Sequence, residues 1–396
     1  MPLAFLEFAL HWSWAAAWFW LLLLVGLVWS RRHLDLNRAD RNPILSPQDA
    51  GNDLADLPPL TVLVAAKDEE VNIGRCLEGL LAQDYPQLQV VVANDRSSDR
   101  TAEIIEQFAV RDPRLTTVHV DALPDGWTGK NHAMHCAQQR ATGTYFCFTD
   151  ADCRFHSPRL LAAAVRYAQR EKTDLLSVLP ELEAFTFWER VVQPPAGAIL
   201  VFWFPPEKVN SRTSPRAYAN GAFMLLPRAA YDRLGGHEGL RGIIAEDMTF
   251  ARRTKQAGLS LQVIRGGGMY SVRMYAGLSQ IWNGWTRIFH CCFGTLPRLL
   301  VSVIFLSVFS VFPLLSLLLA PLAGSAAAGI AIAAVVAVIL QQTVLWRFYL
   351  LSRTKPAWAL TYPLGAAVCL AITLNAITRH FGVATNWRGT VYRRPG

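Results

Sequence analysis

The sequence predicts an α/β protein, a doubly wound and mostly parallel sheet carried between membrane-spanning helices at the two ends of the chain. Two observations carry this. Of 396 residues 52% are hydrophobic and only 17% charged, where soluble domains average roughly a quarter charged; the apolar excess lies in residues 2–29 and beyond residue 298. Between them, residues 60–270 alternate strand and helix patterns as an ordinary α/β domain does.

Residues 2–29 (PLAFLEFALHWSWAAAWFWLLLLVGLVW) carry one acid, Glu7, and one histidine, His11. That length crosses a hydrocarbon core of about 30 Å, and the tryptophans at 12, 14, 18, 20 and 29 suit the interfaces. No basic segment precedes the stretch and no small-residue cleavage site follows it, so it reads as a retained span rather than a signal peptide. Arg31, Arg32, Arg38 and Arg41 come next and place residue 31 onward in the cytosol. Residues 30–59, with Pro43, Pro47, Pro58 and Pro59, read as a linker.

A domain is expected over 60–275. TVLVAA (61–66) is a continuous apolar run, the mark of a strand buried on both faces. Helical spacing over 72–81, LQVVVAN (88–94), a helix over 101–110, LTTVHV (115–120), a helix over 130–140 and TYFCFTD (144–150) complete a βα series. PPAGAILVFWFPP (194–206) is too short to span and is bounded by prolines, so it reads as interfacial or re-entrant. Residues 276–296 predict an amphipathic interfacial helix, with Leu278, Ile281, Trp282, Trp285, Ile288, Phe289, Cys292 and Phe293 on one face. The C-terminal membrane region, 297–380, holds apolar stretches at 299–322, 326–350 and 357–378; Pro363, Gly365 and Asn375 mark the third as the re-entrant piece. The tail, 381–396, with Trp387, Tyr392 and arginines at 388, 393 and 394, then stays in the cytosol.

The net charge of +8 is scattered, with no dense Lys/Arg run, which argues against a nucleic-acid partner and for a lipid surface or an anionic small molecule. Seven cysteines without a CxxC pair point to a reducing compartment and to neither a disulfide framework nor a zinc site.

Ligands of doubly wound sheets bind at the carboxyl ends of the strands. The fourth strand ends in Asp150-Ala-Asp152, two carboxylates that are costly to hold side by side without a cation between them; a hard divalent ion that also bridges phosphates fits. Asp95 closes the second strand, and Lys67-Asp68-Glu69-Glu70 follows the first. Lys130 opens a helix after a Pro-Asp-Gly-Trp-Thr-Gly loop, setting a cation and free N–H groups where phosphates would bind. Farther on, Glu246-Asp247 opens a helix and offers either a cap or a general base, while Asn220-Gly221 allows a close approach to a ligand.

The ordered set AAKDEE, NDRSSD, GWTGKNHAM, TDAD, NGAFML, AED and the Trp-rich helix resembles the family 2 glycosyltransferases with a GT-A fold, over about residues 60–290. Within them the chain looks most like membrane enzymes that glycosylate lipids, the hopene-associated, carotenoid-type and ceramide glucosyltransferase groups. The resemblance implies a bacterial inner-membrane enzyme with its catalytic domain in the cytoplasm. It would move a sugar with inversion from a nucleotide-diphosphate sugar, a UDP-sugar by expectation, to a membrane lipid. It further implies that Ala65, Asp68, Glu70, Asp95, Lys130 and Asp150 bind the nucleotide sugar and that Asp150 and Asp152 hold Mg²⁺ or Mn²⁺. Asp247, beside Glu246, would be the base; Asn220, Gly221, Gln280 and Trp285 would serve the acceptor or diphosphate. Where such enzymes carry Q-x-x-R-W, this chain reads Gln280-Ile-Trp-Asn-Gly-Trp285, so the arginine position is Gly284 and the cation falls to Arg273 or Arg287. That departure, and the small number of spans, weigh against a processive polysaccharide synthase. The intact carboxylates weigh against a non-enzymatic scaffold.

Overall fold

The computed structural model describes residues 2–39, 42–352, 354–381, 385–387 and 390–392. They form two compact units: one of residues 42–183 and 203–274, the other of the two chain ends with residues 184–202.

The first unit is built on a seven-stranded sheet. Its strands are β1 (Leu60–Ala66), β2 (Leu88–Asp95), β3 (Leu115–Val120), β4 (Tyr145–Asp150), β6 (Leu175–Leu179), β8 (Phe223–Pro227) and β9 (Leu261–Arg265), in the order β3-β2-β1-β4-β8-β6-β9. A second sheet of β5 (Cys153–Phe155), β7 (Glu181–Leu182) and β10 (Tyr270–Val272) has the order β5-β10-β7. The expected strands fall within a residue of their places, because apolar runs such as Val62, Leu63 and Val64 are wholly buried. The sheet is mixed: β8 runs antiparallel to β4 and β6.

The predicted linker is not one. Its start continues the first helix, Pro2–Ala39. Its remainder is strapped to the domain, Ile44 bridging Arg265 and Leu45, Ala50 and Leu57 lying fully buried.

In the second unit, three stretches are long and apolar enough to cross a bilayer: Ser13–Arg38, Leu296–Leu351 and Pro356–Phe381. The second breaks at Gly324 (φ 58°, ψ −124°), and its halves pack on one another as a hairpin. Partner residues give the directions. The first helix pairs Trp18 with Ser316 and Trp29 with the Phe309 carbonyl, so the strand of helix before Gly324 runs antiparallel to it. It pairs His33 with Thr343 and Asn37 with Arg347, so Ala327–Leu351 runs parallel to it.

The helix Tyr362–Thr378 takes another course. Tyr362 meets Trp29 and Ser310, near the end of the first apolar stretch, and Asn375 donates to Thr286, which precedes the hairpin. The helix therefore runs from the level of Trp29 back toward the end that bears Arg31. Residues that read as helix breakers have packing roles here. Pro363 sits in the first turn, where no N–H is needed. A Cβ at Gly365 would strike the Val191 carbonyl.

That carbonyl belongs to a 17-residue helix, Phe187–Trp203, which holds Pro194 and Pro195 inside it. The prolines were expected to bound a short segment. Instead Pro195 removes the N–H that would have bonded Val191, and the freed carbonyl faces a glycine. The expected amphipathic helix forms over Leu278–Phe293 with Ile281, Trp285, Phe289 and Phe293 buried, and it packs on Tyr362–Thr378. The side chains of Trp387 and Tyr392, and residues 388, 393 and 394, lie outside the described residues.

Candidate active site

Register brings the strand ends together. Ala65 lies opposite both Ala93 and Asp150, and Asp95 ends β2 one step beyond Ala66. Asp95, almost fully buried, receives Arg96 Nε at 2.7 Å and a second guanidinium nitrogen at 3.1 Å. Against it lies Gly129, the first residue of the helix Gly129–Gln138; a Cβ there would stand 2.5 Å from Asp95 Oδ2. Sequence reasoning missed Arg96, since nothing marks an arginine after a strand as the partner of its own neighbour.

Asp68 and Glu70 join two loops. Ser98 donates to Asp68 Oδ1 through its N–H (2.8 Å) and hydroxyl (3.1 Å). The Arg100 N–H donates to Glu70, while the Glu70 N–H donates to Asp99. These bonds lace the 67–70 loop to the 96–101 loop and hold the Ser98 hydrogen bonds to Asp68 well enough to keep its carboxyl below the usual range. Asp68 and Arg96 both sit at positive φ, 52° and 53°, a strained backbone that the lacing sustains.

The centre of the site is Lys130. Its Nζ lies 2.7 Å from Asp150 Oδ1 and 2.7 Å from Glu246 Oε1. Burial pulls its pKa down, but the two carboxylates outweigh that and hold it above the ordinary lysine value. Asn131, next along, donates to the carbonyls of Leu240 (2.5 Å) and Ile243 (2.8 Å), fixing the loop that leads into Glu246.

Asp247 is held by two backbone donors, Gly221 N–H at 3.1 Å and Met248 N–H at 2.6 Å. Burial, reinforced by the negative charge of Glu246, pushes its carboxyl up to about 7 despite Lys130 and those donors. Gly221 leaves the space in front open: a Cβ would lie 3.2 Å from Lys130 Nζ, 3.4 Å from Glu246 Oε1 and 3.5 Å from Asp247 Oδ2. Asn220 shapes the turn, its N–H donating to Ser177 Oγ and its Oδ1 accepting from the Ala222 N–H.

Asp152 follows Asp150 through one buried alanine. Burial first, and then the Asp152 and Asp150 carboxylates, joined at Cys76 by Glu69, raise the Cys153 and Cys76 thiols. Among the described residues no group of three or more His, Cys, Asp or Glu is set to hold a metal. Two carboxylates beside a lysine fit a hard ion that arrives with phosphate oxygens, the usual arrangement for Mg²⁺, and do not fit a resident all-protein cage.

Arg273 follows β10 in this unit. Gln280, Trp285 and Arg287 lie on the Leu278–Phe293 helix of the other unit. Gln280 Oε1 accepts the Ala276 N–H at 2.9 Å, Trp285 is buried, and Arg287 is half-buried. At Gly284 the ring of Tyr275 occupies the place a side chain would take.

A family model described as "Glycosyltransferase like family 2" matches residues 58–273, more than half the chain, with Asp95, Lys130, Asp150, Glu246 and Asp247 inside it. The chain belongs to that family. Two of its curated relatives are the 4,4'-diaponeurosporenoate glycosyltransferases of Staphylococcus haemolyticus and Staphylococcus aureus. They are 24% and 26% identical over 254 residues, 63% and 62% of this chain, and the match spans 66% and 64% of their own lengths. A mannosyltransferase from Pyrobaculum calidifontis, solved with GDP-mannose and Mn²⁺, superposes with a TM-score of 0.52 at 21% identity, covering 93% of this chain and 98% of its own. The glycosyltransferase domain thus shares a GT-A fold.

Proposed function

We propose that this family 2 member is a membrane-bound inverting glycosyltransferase that moves a sugar from a nucleotide-diphosphate sugar to a membrane lipid at the cytosolic face. The observation that carries the reading is the cluster of Lys130, Glu246, Asp150 and Asp247 around the open Gly221 at the strand ends. Asp95 and the 67–70 loop, Ala65 included, form the nucleotide side. Lys130 and the N-terminus of its helix face the diphosphate. Asp150 and Asp152 would hold Mg²⁺ or Mn²⁺, which when bound neutralises the diphosphate as it leaves.

Asp247 takes the proton of an acceptor hydroxyl. The acceptor oxygen bonds the anomeric carbon, the bond from that carbon to the diphosphate oxygen breaks, and the nucleoside diphosphate leaves with the electron pair. A single base and a direct displacement invert the anomeric centre. Arg273, which follows β10 in the same unit, is the proposed cation for the leaving diphosphate. The lipid acceptor is supported by the apolar helices and by the name of the staphylococcal relatives, whose acceptor is a carotenoid carboxylate.

The test uses full-length protein in nanodiscs made from bacterial lipid. It is given radiolabelled UDP-sugars, with GDP-mannose in parallel, and the lipid phase is read by mass spectrometry. A lipid heavier by one hexose or N-acetylhexosamine is expected. A long water-soluble polymer, or donor consumption without any labelled lipid, would overturn the proposal.

A further inference from the structure

A cavity lies in the unit that carries the apolar helices, near the end of the first helix. Val28, Arg31, Arg32, Asp35, Phe305 and Phe309 line a cavity of about 270 Å³. Its floor is aromatic: Phe305 lies 4.5 Å from Phe202 and 4.8 Å from Phe309, ring centre to ring centre. The Arg32 guanidinium covers Phe202 at 4.9 Å and Phe305 at 5.8 Å while donating to Asp35 at 2.7 Å. Arg31 is exposed and pairs with no carboxylate among the described residues. One of the two arginine charges is therefore uncompensated at the mouth of an apolar hollow.

The cavity is built into the backbone. Residues Leu306–Val311, which follow Phe305 and include Phe309, form a π-helical segment, a feature that costs hydrogen bonds and concentrates at functional places. Its displaced carbonyls are caught by buried side chains from two other helices. Trp29 Nε1 donates to the Phe309 carbonyl at 2.7 Å, and Gln341 Nε2 donates to those of Phe309 and Ser310 at 3.2 Å each. Three helices thus cooperate to hold the turn open.

We infer that this cavity holds the headgroup of an anionic phospholipid. Its position follows from the helix: the apolar stretch ends at Trp29, so residues 31–35 stand at headgroup depth. Arg347 reaches the same end through Asn37, making that end of the bundle basic, as the anionic leaflet prefers. The volume admits a phosphate and its glycerol but not the acyl chains, which would run outward along Phe305 and Phe309. Arg31 pairs the phosphate, and Arg32, locked by its rings and Asp35, offers a pre-set guanidinium edge. None of the residues that line the cavity takes part in the proposed reaction.

Native mass spectrometry of the full-length protein, released from detergent with added phosphatidylglycerol, phosphatidylcholine or inorganic phosphate, tests this. Phosphatidylglycerol is expected to be retained in preference to phosphatidylcholine, and inorganic phosphate alone not at all. Arg31→Gln removes an exposed side chain and should leave the fold intact while weakening phosphatidylglycerol retention about fivefold. Arg32→Lys keeps the charge but loses the planar stacking and should weaken it too. Arg111→Gln, an exposed arginine on the other unit, controls for net charge and should change nothing. Equal retention of the two lipids, binding of phosphate by itself, or equal losses in Arg31→Gln and Arg111→Gln would overturn the inference.

Discussion

Replacing Asp247 with asparagine separates basicity from shape. The carboxyl is raised from an ordinary 3.8 to about 7, by burial first and by Glu246 second. The folded protein therefore holds a proton on Asp247 that the unfolded chain gives up above pH 4. Between about pH 4 and pH 7 the folded state binds more protons, so this group's contribution to stability falls as pH rises and is flat above 7. Three pH units correspond to about 4 kcal/mol, the cost of charging Asp247 in place. Asparagine never incurs that cost. It loses one of the two acceptor positions now facing the Gly221 and Met248 N–H groups, a pH-independent loss of about 1–3 kcal/mol. The variant should be the less stable protein at pH 4 and overtake the native one before pH 8. Denaturant midpoints in nanodiscs at both pH values check it.

Activity should follow the same group. Native turnover should rise with pH up to about 7 and then level, whereas Asp247→Asn should be flat and lower by a factor on the order of 10² to 10⁴. An acceptor carboxylate, as in the staphylococcal relatives' substrate, is already ionised and needs no base. Retained turnover in Asp247→Asn with a carboxylate lipid, beside lost turnover with a hydroxyl lipid, would assign the acceptor class. If the stability difference is the same at pH 4 and pH 8 and native turnover shows no rise, the raised carboxyl and the base role both fail.

Lys130→Met strands Asp150 and Glu246 without their cation and should cost about 3–5 kcal/mol; adding Glu246→Gln should recover part of it, read by denaturant midpoints in nanodiscs. Gly221→Ala should leave stability nearly unchanged but raise the donor Kd about tenfold, because the new methyl stands 3.2 Å from Lys130 Nζ in the space for the ligand; calorimetry with the nucleotide sugar measures it. Asp152→Asn should abolish the metal dependence of donor binding while thermal unfolding stays as in the native protein, and full turnover in excess chelator would contradict the carboxylate pair's role. For topology, single cysteines at Ser325 and Thr378 in a cysteine-free background should differ: the first should react with a membrane-impermeant thiol reagent in intact cells and the second should not.

The parallel core was legible because β1, β2 and β4 are buried on both faces and so read as unbroken apolar runs. The small sheet was not, since strands of two or three residues such as Glu181–Leu182 show no period. Nor was the strap: Leu45, Ala50 and Leu57 stand singly among prolines and polar residues, a pattern without a helix or strand period. Pro194 and Pro195 misled because a helix interior tolerates them only where a freed carbonyl has a neighbour such as Gly365, and that neighbour lies more than 160 residues away. In the site, Asp95, Lys130, Asp150 and Glu246-Asp247 could be singled out in the sequence because they fall at strand and helix ends, where ligands of such sheets bind. The loop-lacing bonds of Asp68 and Glu70 were not legible, because a carboxylate that laces two loops and one that faces a ligand look identical in sequence.

The charge balance of the site argues for what must accompany the donor. Lys130 is the cation in direct contact, and Asp150 and Glu246 already claim it at 2.7 Å each. Asp152 adds a third negative charge at the same edge, and Asp247 a fourth when it gives up its proton. A diphosphate brings further negative charge to a place already net negative, so Lys130 alone cannot make its approach favourable. Asp150 and Asp152 would hold a divalent ion that offsets this negative charge. On this reasoning donor affinity should fall when the divalent ion is withheld from the native protein, which calorimetry with the nucleotide sugar measures; equal affinity with and without the ion would refute it.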